Sequence, residues 1–361
     1  MARQSRLHGA CLNTPCLIHD AAQFDMAKIS SITIPQATES RTGLLDHPMH
    51  WRRAGVLLAL LVALPFIAQA SGQEFYIGVA SRILIFALAA VSLNLILGFG
   101  GLVSFGHAAY LGVGAYAVGI LMFHGVESAW LAWPLAVLAS GLFALLIGAV
   151  SLRTKGVYFI MITLAFAQML YYIAVSIKAY GGDDGLSLAS RSTLVPGVDL
   201  ADDRIFYLVV LALFALVFWA VQRLLNARFG HVLQAIRENE TRMVAIGFPV
   251  YRYKLVAFTI AGALAGLAGV LLVNLNSFAS PSMLQWHQSG VLMMMVILGG
   301  VGHLYGPVIG AVVFLLLEEI LSAYTIHWQF GLGALLLLVV LAAPNGLMSL
   351  AQRRHAEEGE K

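Results

Sequence analysis

Apolar runs recur along this chain at 54–70, 83–97, 107–123, 131–150, 157–177, 205–222, 255–275, 289–301, 304–322 and 329–348. Short polar or glycine-rich joints separate them. A helix rises 1.5 Å per residue, so about 20 residues cross the roughly 30 Å hydrocarbon core of a bilayer. The pattern predicts an all-α fold, a polytopic transmembrane helical bundle of about 10 spans (range roughly 8–10) with Gly-rich broken helices. Several runs, 289–301 above all, are short for a straight crossing and predict tilted or half-length helices. Between 54 and 152 the only formal charges are Glu74, Arg82 and Glu127, each at the edge of a predicted span.

Charge orients the stack. Segment 223–254 carries Arg223, Arg228, Arg237, Arg242, Arg252 and Lys254 against Glu238 and Glu240. Segment 178–204 carries Lys178, Arg191 and Arg204 against Asp183, Asp184, Asp199, Asp202 and Asp203. Cytoplasmic loops are enriched in Lys and Arg, so the first segment is expected inside and the second outside. Arg52, Arg53, Arg153, Lys155, Arg353 and Arg354 then fall inside as well. Ten crossings with both termini cytoplasmic satisfy every placement.

Composition excludes an aqueous fold. Hydrophobic residues make up 60% of the chain and charged ones 11%, against about 45–50% and about 25% in soluble domains. Residues 1–50 differ: they are polar, mixed in charge and without period, and are expected to be a disordered extension. Met49 opens MHWRRAGVLLALLVALPF, a plausible natural start. Ala68-Gln69-Ala70 imitates a signal-peptidase site, and cleavage there would remove one span without reorienting the rest. The membrane domain is read as 51–350, with the loop 223–254 inside it and 351–361 as a cytoplasmic tail.

Glycine is patterned. Gly98, Gly100, Gly101 and Gly106 are dense enough to break a helix and free backbone groups. Gly262, Gly266 and Gly269 form a second set, and Gly299, Gly300, Gly302, Gly306 and Gly310 a third. Small residues of this kind let helices approach closely in lipid. GLVSFGHAAYLGVGAY at 101–116 and GGVGHLYGPVIGAV at 299–312 echo each other faintly, as duplicated halves of transporters do.

Few polar residues lie at membrane depth. Asn94, Ser104, His107, Gln168, Asn274, Asn276, Gln288 and His303 must face a cavity or a neighbouring helix, and so are either path residues or interhelical ties. Glu318 and Glu319 fall near the outer end of a span. An interfacial position explains them, and a proton relay is the alternative reading. GGDDG at 181–185 lacks the longer ligand array of a calcium loop and reads as a flexible outer loop.

One inner stretch is unlike the rest. NARFGHVLQAIRENETRMVAIG at 226–247 is basic and helical in composition. Val232, Leu233, Ile236, Met243 and Val244 can form a short apolar stripe. Arg237, Glu238 and Arg242 flank it, and Gly247 with Pro249 supplies a stop. Such a helix can lie in a groove of a soluble partner or rest on the inner leaflet with its arginines on anionic lipid. The residues alone leave both open. The chain has no GxxxxGK[ST], HExxH, nucleophile elbow or CxxC. No cofactor, metal site or enzymatic centre is expected, and an energy-coupled transporter built on it must borrow its ATPase.

Seven segments together carry a family resemblance. They are SLNLILGFGGLVSFGHAAYLGVGAY at 92–116, GVYFIMITLAFAQML at 156–170, the glycines and aspartates of 181–185, ARFGHVLQAIRENETRMVAIG at 227–247, KLVAFTIAGALAGLAGVL at 254–271, SP at 280–281 and LGGVGHLYGPVIGA at 298–311. In order and without a large gap, they resemble the permease subunit of branched-chain amino-acid ABC importers of the two-permease type. Urea and short-amide importer permeases are closely similar, so the solute stays open.

The resemblance implies that 51–350 is a permease domain of the bacterial inner membrane and that the inner helix is a coupling helix. Gly230, Leu233, Ile236, Arg237, Glu238 and Gly247 would be its ATPase-coupling residues. Expected partners are two cytoplasmic ABC ATPase subunits, a second related permease, a periplasmic substrate-binding protein and membrane lipid, without nucleic acid. Asn94, Ser104, His107 and Gln168 are the expected path residues. The expected function is alternating-access import of branched-chain or related amino acids. A urea or amide importer is the alternative, and a proton-coupled transporter using Glu318 a further one. The N-terminal extension departs from the family pattern. So do His231, where Arg is frequent, and His303, where a small polar residue is common.

Overall fold

The computed structural model describes residues 59–66, 69, 72 and 75–348, apart from 189, 194–199, 325 and 343–345. The expected extension, the alternative start, most of the cleavage-site motif and the tail lie outside the described residues. From Phe75 onward the chain is almost entirely helical. Every run predicted from 83 onward is a helix: α1 Phe75–Asn94, α2 His107–Phe123, α3 Ala129–Ser151, α4 Val157–Ser176, α5 Asp203–Leu225, α8 Val250–Asn276, α9 Trp286–Gly299, α10 Gly306–Tyr324 and α11 Trp328–Ala342. Residues 59–66 are helical too, and the Tyr207 hydroxyl of α5 donates to the Leu61 carbonyl at 3.0 Å. The inner segment forms α6 Arg228–Glu238 and α7 Glu240–Ala245.

Six helices among the described residues are long and apolar enough to cross a membrane: Phe75–Phe99, α3, α4, α5, α8 and α10. The first of these is α1 with its π-helical extension. Helices α2, α9 and α11 are apolar but shorter, and α9 with its 14 residues extends only about 21 Å. The protein is a polytopic helical bundle of broken and unequal helices.

Loops gather at two ends, as alternating crossings require. At one end Ala129 N donates to Thr193 O and Thr193 N to Glu127 O, both at 2.8 Å. Strand β1 (Leu186–Ser187) pairs antiparallel with β2 (Phe278–Ala279) there. At the other end Lys155 meets Glu240, and the Tyr251 hydroxyl donates to Ala149 O at 2.9 Å. Asn274 at the end of α8 accepts from Ser192 N at 2.9 Å and donates to Val270 O. Arg191 binds Asp203 at 2.6 Å and lies over the Phe206 ring.

The core lies along α1, α2, α3 and α8. The glycines of α8 explain how they meet. A methyl on Gly266 would overlap the Ser140 side chain of α3, and one on Gly269 would overlap the Leu111 carbonyl of α2. Ser140 Oγ sits in this three-helix seam, 2.8 Å from Tyr110 O and 2.9 Å from Gly262 O. Dispersion across close backbones drives association where lipid removes the hydrophobic incentive.

Candidate functional site

The inner segment is held to the bundle by its own apolar side chains. Gly230 permits the tight corner after α5, because a Cβ there would overlap the Leu225 backbone. Leu233 is buried in the main core, and Ile236 forms a smaller cluster with Met243 and Val250. Phe229 stacks on Tyr253 with ring centroids 5.5 Å apart. Three residues of the expected stripe, Leu233, Ile236 and Met243, thus face inward and secure the segment to this chain, while Val232 is half-buried and Val244 exposed. The reason is geometric, since the stripe of an amphipathic helix turns to the nearest dry surface, and that surface is the base of α8.

The segment is two helices, not one. Asn239 adopts an extended conformation, and its side chain accepts from Arg242 N at 2.9 Å. This N-cap starts a second helix where a continuous one was expected. Gly247, at φ +95°, closes α7. Gly247 N donates to Val244 O at 2.9 Å and Phe248 N to Met243 O at 3.0 Å, the paired bonds of a Schellman ending. The break leaves Glu238, Thr241, Arg242, Val244 and Ile246 exposed at the tip of the segment. Val244, a member of the expected stripe, and Ile246, which falls off it, are 58% and 63% exposed.

Two polar ties fasten the segment. Glu240 binds Lys155 and Lys254, each at 3.0 Å, at the edge of a cleft of about 200 Å³ that Gly101, Leu102 and Phe159 also line. Desolvation alone would raise the Glu240 pKa, but hydrogen bonds and charge from Lys155 and Lys254 outweigh it and hold the carboxyl below its usual value. The second tie is Arg237, whose Nη1 donates to the Gly98 carbonyl.

Gly98 lies where the first long helix fails. α1 passes into a π-helical turn, Leu95–Phe99, and residues 100–106 are not helical. The predicted break at Gly98–Gly106 is therefore present. Asn94 joins it to the turn after α9: its Nδ2 donates to His303 O at 3.0 Å, and its Oδ1 accepts from Gly302 N at 3.1 Å. The two echoing segments are both break-then-helix units, and they meet here.

The other expected path residues are distributed. Ser104 Oγ accepts from Gly106 N at 3.2 Å and shapes the turn into α2. His107 is buried, with Nε2 2.8 Å from Ser92 Oγ. Ser92 Oγ also lies 2.7 Å from Ala89 O. Among the described residues, His107 Nδ1 and the Tyr110 hydroxyl have no hydrogen-bond partner. Gln168 is half-buried on α4, and no contact joins it to the other three. Asn94, Ser104 and His107 thus act as ties in this conformation. Glu318 is paired with Arg82 of α1 at 3.0 Å.

A bundle of this kind, with a basic loop secured to glycine breaks in its spans, has the architecture of a polytopic membrane protein. Residues 75–341 match the family described as branched-chain amino acid transport system, permease component, and the chain belongs to that family. This is a transport permease family, not an enzyme family. The chain is 29% identical to the high-affinity branched-chain amino acid transport system permease protein LivM of Salmonella typhimurium, over 82% of this chain and 74% of that protein. It is 25% identical to the probable LivM of Methanocaldococcus jannaschii, over 73% and 90% of the two chains. It is 22% identical to the permease protein LivH of Escherichia coli, over 73% and 91%. No solved structure matches it.

Proposed function

We propose that this chain is one permease of an ATP-driven importer in the bacterial inner membrane, carrying branched-chain amino acids inward by alternating access. The observation that carries the reading is the inner segment. It is anchored to the spans by buried side chains yet presents Glu238, Arg242, Val244 and Ile246 outward. A lipid-resting helix would bury its apolar stripe in the leaflet, whereas this one buries Leu233, Ile236 and Met243 in the protein and offers a mixed polar and apolar tip suited to a protein cleft.

Two cytoplasmic ATPases would engage this segment and its counterpart on a second, related permease. ATP binding draws the ATPases together and reorients the spans, and hydrolysis resets them. A periplasmic binding protein delivers the amino acid to the outer end. The similarity to both LivM and LivH proteins supports pairing with a second permease. α4 offers a face for it. Tyr158, Met161, Met169 and Tyr172 are exposed along one side, with Gln168 among them. An amide in the middle of a lipid-facing stripe is costly, so this face is assigned to the partner permease, and Gln168 to the path at the seam.

The test is uptake in vesicles holding the full complex. Leucine uptake should require ATP and co-purifying ATPases, compete with isoleucine and valine, and ignore urea. Competition by urea alone would make this a urea importer. Uptake that persists without ATPase but stops in Glu318→Gln would establish proton coupling.

A further inference from the structure

We propose that Arg237 is a positioning residue that transmits movement from the inner segment to the spans, and not a contact to the ATPase. The proposal rests on the ATP-driven reading above and adds the route by which force enters the membrane domain. Arg237 is exposed on the surface helix α6, yet one end of its guanidinium reaches back to the spans. Nη1 donates to the Gly98 carbonyl, which lies in the last turn before the break. The final carbonyls of a helix lack intrahelical partners and carry partial negative charge, so a cation there is favoured. Leu102 N, the next backbone donor to fold back, bonds instead to Ile96 O at 2.9 Å. Arg237 supplies the bond that the departing chain does not.

The surroundings are built for close approach. A Cβ on Gly101 would lie 3.0 Å from Arg237 Cγ, and one on Gly302 would lie 2.8 Å from Nη1. Both glycines have positive φ, +66° and +83°, so each shapes a turn while clearing room for the arginine. A Cβ on Gly98 would overlap the Asn94 amide, and that amide holds Gly302 and His303. One side chain from the cytoplasmic segment therefore touches both glycine breaks, one after α1 and one between α9 and α10. These are the points at which the spans have already lost continuous helical hydrogen bonding and can bend at least cost. Displacing α6 pulls on both at once.

The experiment uses the complete complex with its ATPases and binding protein. Arg237→Ala removes the side chain, and Arg237→Met keeps the stem over Gly101 but removes the donors. Both are expected to co-purify with the ATPases at wild-type stoichiometry and to melt near the wild-type temperature. ATP hydrolysis should continue, no longer stimulated by amino-acid-loaded binding protein. Leucine carried per ATP should fall roughly tenfold, in the range of a lost coupling interaction. Loss of ATPase association by folded Arg237→Met would make Arg237 a docking residue and overturn the proposal. Wild-type coupling in Arg237→Met would overturn it too, and this variant decides the matter if Arg237→Ala fails to fold. A wild-type chain that binds no ATPase would end the ATP-driven reading itself, visible in the same preparation before any variant is compared.

Discussion

At the scale of single residues, neighbours in one short helix pair have opposite tasks. Ile236 is 2% exposed, whereas Val244 is 58% exposed. Ile236→Asp would place a carboxylate in an apolar cluster, at a cost on the order of 3–5 kcal/mol. It is expected to loosen the segment itself, read as rapid proteolysis within 223–254. Val244→Asp should leave proteolysis unchanged and weaken ATPase co-purification by roughly tenfold, the effect of removing one good interface anchor. Glu240 adds a pH dependence. Its folded-state pKa lies below the usual 4.5, so the tie is fully present above the ordinary carboxylate range and is lost as pH falls through the folded value. Protease protection of the segment should drop on acidification below that range. In Glu240→Gln it should start lower and lose this step.

At the scale of elements, small residues set how near the helices come. Gly266 faces Ser140 with no room for a methyl, while a Cβ on Gly290 of α9 would meet nothing within 4 Å. Gly266→Val is expected to destabilise the bundle by about 3 kcal/mol through overpacking. Gly290→Ala should be neutral or stabilising by under about 1 kcal/mol, because it only reduces backbone freedom. Thermal unfolding in detergent compares the two. The same reasoning accounts for the short α9. Its last turn packs against the start of α10, where a Cβ on Gly299 would overlap the Gly306 carbonyl. Its Ser289 hydroxyl accepts from Ala108 N at 2.9 Å, so a short helix satisfies the open N-terminus of α2.

At the scale of the whole molecule, the two loop clusters define two chemically different ends. The proposed orientation puts the basic cluster, with 223–254, 152–156 and the glycine breaks, in the cytoplasm, in line with its Lys and Arg content. The same orientation puts the other cluster, with Asp183 and Asp184 in 181–188 and the uncharged 277–285, outside. Thr241→Cys should react with a membrane-impermeant maleimide only in inside-out vesicles, and Asp183→Cys only in right-side-out ones. The reverse pattern would invert the molecule and remove the inner segment from any cytoplasmic partner.

The helices and their order were legible in the residues because hydrocarbon leaves a long apolar run little choice but to form a helix that satisfies its own backbone. The break at Gly98–Gly106 was legible for the same reason in reverse, since four glycines in nine positions remove the preference for helix. What tertiary structure alone decided was direction: which face of an amphipathic helix turns to its own chain, and which polar group finds which partner. Leu233 and Ile236 read equally well as a stripe for a partner's groove or for the inner leaflet, and the adjacent bundle, with the base of α8, buries them within this chain instead. Asn94 and Arg237 are separated by more than a hundred residues, yet they meet at one turn. Periodicity records how a side chain is spaced along its own helix, and it carries no information about what the fold brings opposite.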